Sequence, residues 1–169
     1  NDEGVVQQVA VTRPRLGEAD FDSLIRPHLD AGYRTALAML RNPDEANDAV
    51  QDAAEKAWRR LHQLRDIGVA RTWFLAIVAN RCRSMRRTRW WSVIRLARVD
   101  READFPSDTT DLERALAKLP GEDRLVLFLH FYLDLPFEEV GDVIGLSAAG
   151  AKTRVYRAAK KLRPDLEMN

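Results

Sequence analysis

Apolar side chains recur at spacings of three and four residues through most of this chain, the period of a helix with one buried face. Phe21, Leu24 and Ile25 begin the pattern, and Leu29, Tyr33, Ala36, Leu37 and Leu40 continue it. Pro27 divides this stretch or opens its second helix, because a mid-helix proline loses a hydrogen bond and clashes with the preceding turn. The next helix has a legible start: Asn42 can cap, Pro43 suits the first helical position, and Glu45 stands three residues after the cap. Its expected buried stripe is Ala46, Ala49, Val50, Ala53, Ala57, Trp58 and Leu61. Gln63 to Ala70 contains Gly68 and breaks the period, which predicts a loop. A third long helix is predicted from Arg71 to Arg87 or beyond, with Phe74, Ile77, Val78, Cys82 and Met85 facing inward.

The period then fails. Between Arg98 and Thr110 the chain turns polar and acidic around Pro106, Ser107 and Asp108, predicting a flexible linker over 98–110. Asn1 to Arg15 carries Gly4 and Pro14 without a sustained period and reads as a flexible leader; the missing initiator methionine points to processing or trimming. Beyond the linker, Asp111 to Lys118 predicts a short helix and Pro120 opens another. Leu125 to Leu133 is almost continuously apolar and fits a buried strand by periodicity alone. Its flanks, Pro120-Gly121-Glu122-Asp123 and Asp134-Leu135-Pro136, favour a helix buried on most sides. Phe137 to Ile144 is amphipathic, with Phe137, Val140, Val143 and Ile144 on one side. Gly145-Leu146-Ser147 supplies a tight turn: Gly145 tolerates a left-handed conformation, Leu146 anchors the corner, and Ser147 caps the next helix. That helix buries Ala151, Val155, Ala158, Ala159 and Leu162, leaving Lys152, Arg154, Tyr156, Arg157, Lys160 and Lys161 outside. The fold class is therefore all-α: two small helical domains, over 16–97 and 111–169, joined by a flexible linker, the second a helix-turn-helix.

Charge sharpens this picture more than composition does. The net charge of +1 conceals strong segregation. Asn42 to Glu55 holds five acids and no base; Arg71 to Arg101 holds nine arginines and one acid; Lys152 to Arg163 holds six bases and no acid. Separate segments are thus fitted to different partners. A basic face alone usually meets only water, but the Gly-Leu-Ser turn, the apolar corner and six unopposed cations favour a DNA-reading helix that enters the major groove N-terminus first. The single Cys82 rules out an internal disulfide, argues against structural zinc and fits core packing. His28, His62 and His130 stand far apart without motif context, so the chain reads as a non-enzyme that needs no cofactor. No apolar run approaches a membrane span and no signal-peptide pattern opens the chain, which points to the cytoplasm.

Two sets of residues carry a family resemblance. Phe137-Glu138-Glu139-Val140, Gly145-Leu146-Ser147 and Lys152-Thr153-Arg154-Val155-Tyr156-Arg157-Ala158, entered through Leu119-Pro120-Gly121-Glu122-Asp123-Arg124, resemble region 4 of extracytoplasmic-function sigma factors of the sigma-70 family. Asp48-xx-Gln51-Asp52-xxx-Lys56-Ala57-Trp58 and Trp73-Phe74-xx-Ile77-xx-Asn80 resemble region 2 of the same family. The resemblance implies a protein that binds core RNA polymerase and directs initiation at −10/−35 type promoter DNA, often under an anti-sigma protein. It implies a polymerase-docking face of Asp44, Glu45, Asp48, Gln51, Asp52 and Glu55, and −10 contacts from Trp73, Asn80, Arg83 and Arg87 with the loop near Gln63 to Val69. It implies −35 contacts from Ser147, Lys152, Thr153, Arg154, Tyr156, Arg157 and Lys160. Trp73 also suits core packing, and Trp90-Trp91 suits packing or partner contact. The chain departs from the family pattern at Ala149-Gly150-Ala151, where Gly-Thr-Val is usual, and at Ser84, where Asp is frequent. The other reading of the helix-turn-helix, a stand-alone regulator of duplex DNA, leaves the acidic face and the Trp73 to Asn80 pattern unexplained.

Overall fold

The computed structural model describes residues 18–95 and 110–167, with side chains over 20–88 and 110–162. The leader, all of the linker except Thr110, and the Trp90 and Trp91 side chains lie outside the described residues. Eight α-helices follow in order: α1 (Glu18–Leu24), α2 (Leu29–Leu40), α3 (Pro43–Arg60), α4 (Ala70–Arg95), α5 (Asp111–Lys118), α6 (Gly121–Leu127), α7 (Phe137–Ile144) and α8 (Ala148–Glu167). There is no strand among the described residues.

The helix ends form where local chemistry places them. Pro27 sits in a 3-10 turn between α1 and α2. Asn42 Oδ1 accepts from the amides of Asp44 and Glu45, both at 3.0 Å, satisfying two of the amides that a helix start leaves without partners. Thr110 and Glu113 close a reciprocal capping box at α5. The apolar run after α6 is helical, but Phe128–Tyr132 widens into a π turn. Burial follows expectation through Leu129; the last turn then emerges, leaving Phe131 and Tyr132 exposed, so the helix is not buried on most sides to its end.

Helices α2, α3 and α4 form a three-helix bundle, and α5, α6 and α7 contribute to a second unit around α8. The two units share one continuous apolar core, since α6 packs on α2 and α7 on α4. Helix α4 buries Leu75 and Ala79 in addition to the predicted Phe74, Ile77, Val78 and Cys82, while the predicted Met85 is only partly buried against the same core. Burial raises the Cys82 thiol to about 12, so it is an inert core group. One expected core residue is misplaced: Trp58 is 46% exposed and packs edge-on against Phe21 rather than closing the α3 stripe. Four alanines already fill the approach of α3 to the bundle, leaving the indole at the margin.

Arg124 joins the units. Its guanidinium donates to the carbonyls of Ala38 (2.6 Å), Met39 (2.8 Å) and Leu119, capping the C-terminal turn of α2 from another domain. Burial, with Arg41 and Arg86 nearby, lowers its pKa to about 10. Arg124→Ala strands carbonyls at the end of α2 but also removes a desolvated charge. The net loss should be about 1–2 kcal/mol, read as a lower urea midpoint.

Candidate promoter- and polymerase-binding surfaces

Three charged faces stand on this scaffold. Asp44, Asp48, Gln51, Asp52 and Glu55 lie exposed along α3, and Glu45 is half-buried at its start. Asp44, Asp48 and Asp52 succeed one another at i, i+4, so their carboxylates share one row and repel. That repulsion is only partly relieved. Asp52 accepts from Arg81 of α4 at 2.6 Å, and Glu55 pairs with Arg59.

On α4, Asn80 and Arg87 are exposed, whereas Trp73 is half-buried against the core, as packing predicts for a large aromatic. Asn80 and Arg83 meet: the Arg83 Nη1 donates to Asn80 Oδ1 at 2.9 Å. The loop before α4 is two 3-10 turns, Leu61–Gln63 and Ile67–Val69, the second capped by Asp66 Oδ1 accepting from the Gly68 amide at 2.8 Å. Ile67, at 62% exposure, and Val69 project from it. Periodicity marks this segment as a break and the family resemblance implies a −10 contact for it, whereas the projection of Ile67 and Val69 is visible only in the fold.

The α7–α8 corner has the predicted turn chemistry. Gly145 takes a left-handed φ of 77°, and Ser147 Oγ accepts from the Gly150 amide at 3.2 Å. Gly141 is an unanticipated part of it, because a Cβ there would lie 2.5 Å from the Leu146 carbonyl oxygen. Leu146 is half exposed, its side chain lying along Gly150 at the start of α8 rather than in the interior. Ala151, Val155 and Ala158 are fully buried, and Lys152, Thr153, Arg154, Tyr156, Arg157 and Lys160 line the outer face with Ser147 at its entry. The Thr153 hydroxyl donates back to the Ala149 carbonyl at 2.9 Å.

The expectation of unopposed cations on α8 needs correction. Asp123 of α6, a buried carboxylate, receives Lys161 Nζ at 2.6 Å and Arg154 Nε at 3.3 Å. Its neighbour Glu122 receives Arg83 of α4 through two bonds, at 2.8 and 3.0 Å. Both acids had stood in the sequence as helix-flanking residues. Among the described residues no cluster of three or more His, Cys, Asp or Glu is placed to hold a metal ion, and no helix is long and apolar enough to cross a membrane.

Comparison with known proteins accounts for the arrangement. Residues 24–92 match the model for Sigma-70 region 2, and residues 109–162 match Sigma-70, region 4. RNA polymerase sigma factor SigV of Bacillus subtilis is 29% identical over 146 residues, covering 84% of this chain and 88% of its own. The RNA polymerase sigma-E factor of Streptomyces antibioticus is 27% identical over 158 residues, covering 88% and 85%. In fold, the chain is similar to the sigma factor RpoE of Bartonella quintana, solved with the anti-sigma factor NepR. Their TM-score is 0.76 at 24% identity, over 90% of this chain and 99% of that one. CnrH, solved with the cytosolic domain of CnrY, gives a TM-score of 0.65 at 23% identity, over 89% and 90%. A stand-alone regulator would account for region 4 but not for region 2 preceding it. With both regions in order along one chain, the protein belongs to the sigma-70 family of RNA polymerase sigma factors, in its extracytoplasmic-function branch.

Proposed function

We propose that the three charged faces divide the work of initiation among them. Carboxylates held on the rigid α3 meet basic residues of core RNA polymerase through charge complementarity. Asn80, Arg83 and Arg87 of α4, with the Ile67–Val69 turn, engage the unpaired −10 strand, where arginines neutralise phosphates and an amide reads a base edge. Trp73 supports that surface from beneath. Ser147, Lys152, Thr153, Arg154, Tyr156, Arg157 and Lys160 enter the −35 major groove on α8. Residues 16–97 and 111–169 are the two working domains and 98–110 the linker between them. The protein acts in the cytoplasm as a non-enzymatic subunit, and an anti-sigma protein is its expected inhibitor.

The observation that carries this reading is the pairing of an acidic α3 face with a basic α4 in one bundle, joined at Asp52–Arg81. Polymerase docking and strand capture need those two charges on adjacent surfaces. Purified protein added to core polymerase should yield transcripts with defined starts from linear genomic templates. Failure of the protein to associate stably with core enzyme at low salt overturns the assignment of the α3 face.

A further inference from the structure

The first turn of α6 presents two consecutive carboxylates to two different helices. Successive helical residues point about 100° apart, and here Glu122 faces α4 while Asp123 faces α8. Each takes a cation assigned above to promoter DNA: Glu122 holds Arg83, and Asp123 holds Arg154, with the unassigned Lys161 beside it. The Arg83–Glu122 contact is a two-bond fork, the geometry in which a guanidinium also binds phosphate. With Nη1 given to Asn80, the three nitrogens of Arg83 are all engaged within the protein.

Glu122 is also held in place. Gly121 before it packs so closely that a Cβ would come within 2.9 Å of the Met39 carbonyl oxygen, and Arg124 two residues on is bonded to Ala38 and Met39. This anchoring fixes where the Glu122 backbone stands relative to α2 and so keeps its carboxylate within reach of Arg83. Both partners keep partial access to solvent, 25% for Arg83 and 31% for Glu122, so the contact is reachable and exchangeable. Asp123 is different: its side chain is 4% exposed and serves to position α8.

We propose that Glu122 is an internal competitor of promoter DNA, occupying the phosphate-binding edge of Arg83 so that the −10 strand engages it only after displacing this carboxylate. The inference rests on Arg83 as a −10 contact. It adds a second domain that sets how readily that contact is available, and thereby restrains the free protein from holding single-stranded nucleic acid before polymerase binds.

The test uses the full chain and a fluorescein-labelled, mixed-sequence single-stranded DNA, followed by anisotropy across a salt series. Glu122→Gln keeps the shape of the side chain and removes its charge. It should bind about three- to tenfold more tightly than wild type, an exposed ion pair being modest in strength. The slope of log affinity against log salt should steepen by about 0.7, one further phosphate contact. Arg83→Ala added to Glu122→Gln should abolish the gain. Asp22→Asn, the same change of charge on α1, should give less than a third of it.

No gain in Glu122→Gln, a gain that survives Arg83→Ala, or an equal gain in Asp22→Asn overturns the proposal. If Glu122→Gln loses its cooperative melt, Glu122→Ala, which also removes the carboxylate, replaces it under the same criteria. Arg83→Ala in the reconstituted holoenzyme separates the two readings. Loss of transcription there, with no gain in Glu122→Gln, removes the competitor and leaves the −10 assignment standing. Unchanged transcription removes Arg83 from the −10 surface and the competitor with it.

Discussion

A variant carrying Asp48→Lys and Asp52→Asn should lose core polymerase binding by roughly 30- to 150-fold, about 2–3 kcal/mol, while its free form becomes no less stable. The two readouts oppose each other for a physical reason. Asp44, Asp48 and Asp52 share one row of α3, and like charges at i, i+4 cost a few tenths of a kcal/mol per pair in the free protein. In this variant the lysine at 48 turns the repulsion with Asp44 into an attraction, and the asparagine at 52 removes the other repulsion. Asparagine rather than lysine is chosen at 52 because Asp52 faces Arg81, where a second cation would repel it. Sedimentation of the variant with core enzyme, beside its thermal melt, checks both halves. Unimpaired association would mean that this row is merely a solvated face.

Gly141→Ala should cost about 2–4 kcal/mol and reduce binding to promoter duplex at least tenfold, since the added methyl group must displace backbone rather than a flexible side chain. A Cβ at 141 would lie 2.5 Å from the Leu146 carbonyl oxygen and 3.2 Å from the Ser147 carbonyl carbon. Those atoms cannot give way freely. The Gly141 carbonyl accepts from the amides of both Gly145 and Leu146, at 2.8 and 2.9 Å, tying the turn to the residue that would be altered. Ser147 then caps α8, so a displaced turn tilts the helix assigned to the −35 element. Gly145 in the same corner makes the internal comparison. It has a φ of 77° but nothing within 4 Å of a would-be Cβ, so Gly145→Ala bears only the left-handed backbone cost, about 1 kcal/mol. Urea melts of the two variants and their duplex anisotropy should separate close approach from backbone conformation.

The features legible in the chain were those governed by neighbours a few residues apart. Asn42 caps α3, Gly145 and Ser147 make the turn, and Ala151, Val155 and Ala158 form the inner face of α8, all as local spacing requires. Misreadings arose where one period served two packing partners or ran out of room. Trp58 lies on the α3 stripe by angle yet remains half exposed at the bundle margin. Leu146 sits in the corner by position, yet its side chain lies along Gly150 and stays half exposed. Phe131 and Tyr132 follow an apolar run and still emerge from it, because a π turn changes the direction of the last residues.

The charges mark the same division. Basic and acidic blocks could be counted in sequence, but whether a cation was opposed depended on residues 31 to 39 positions away: Glu122 reaches Arg83, and Asp123 reaches Arg154 and Lys161. Helical class, the caps, the two modules and the polarity of each face are legible along the chain, since these follow from periodicity, backbone preference and composition over short windows. The fold alone sets that the modules share one core, that Arg124 caps a helix in the other domain, and that one turn of α6 grips cations from both α4 and α8. Those are contacts between segments distant along the chain, and no local period encodes which carboxylate a distant arginine will meet.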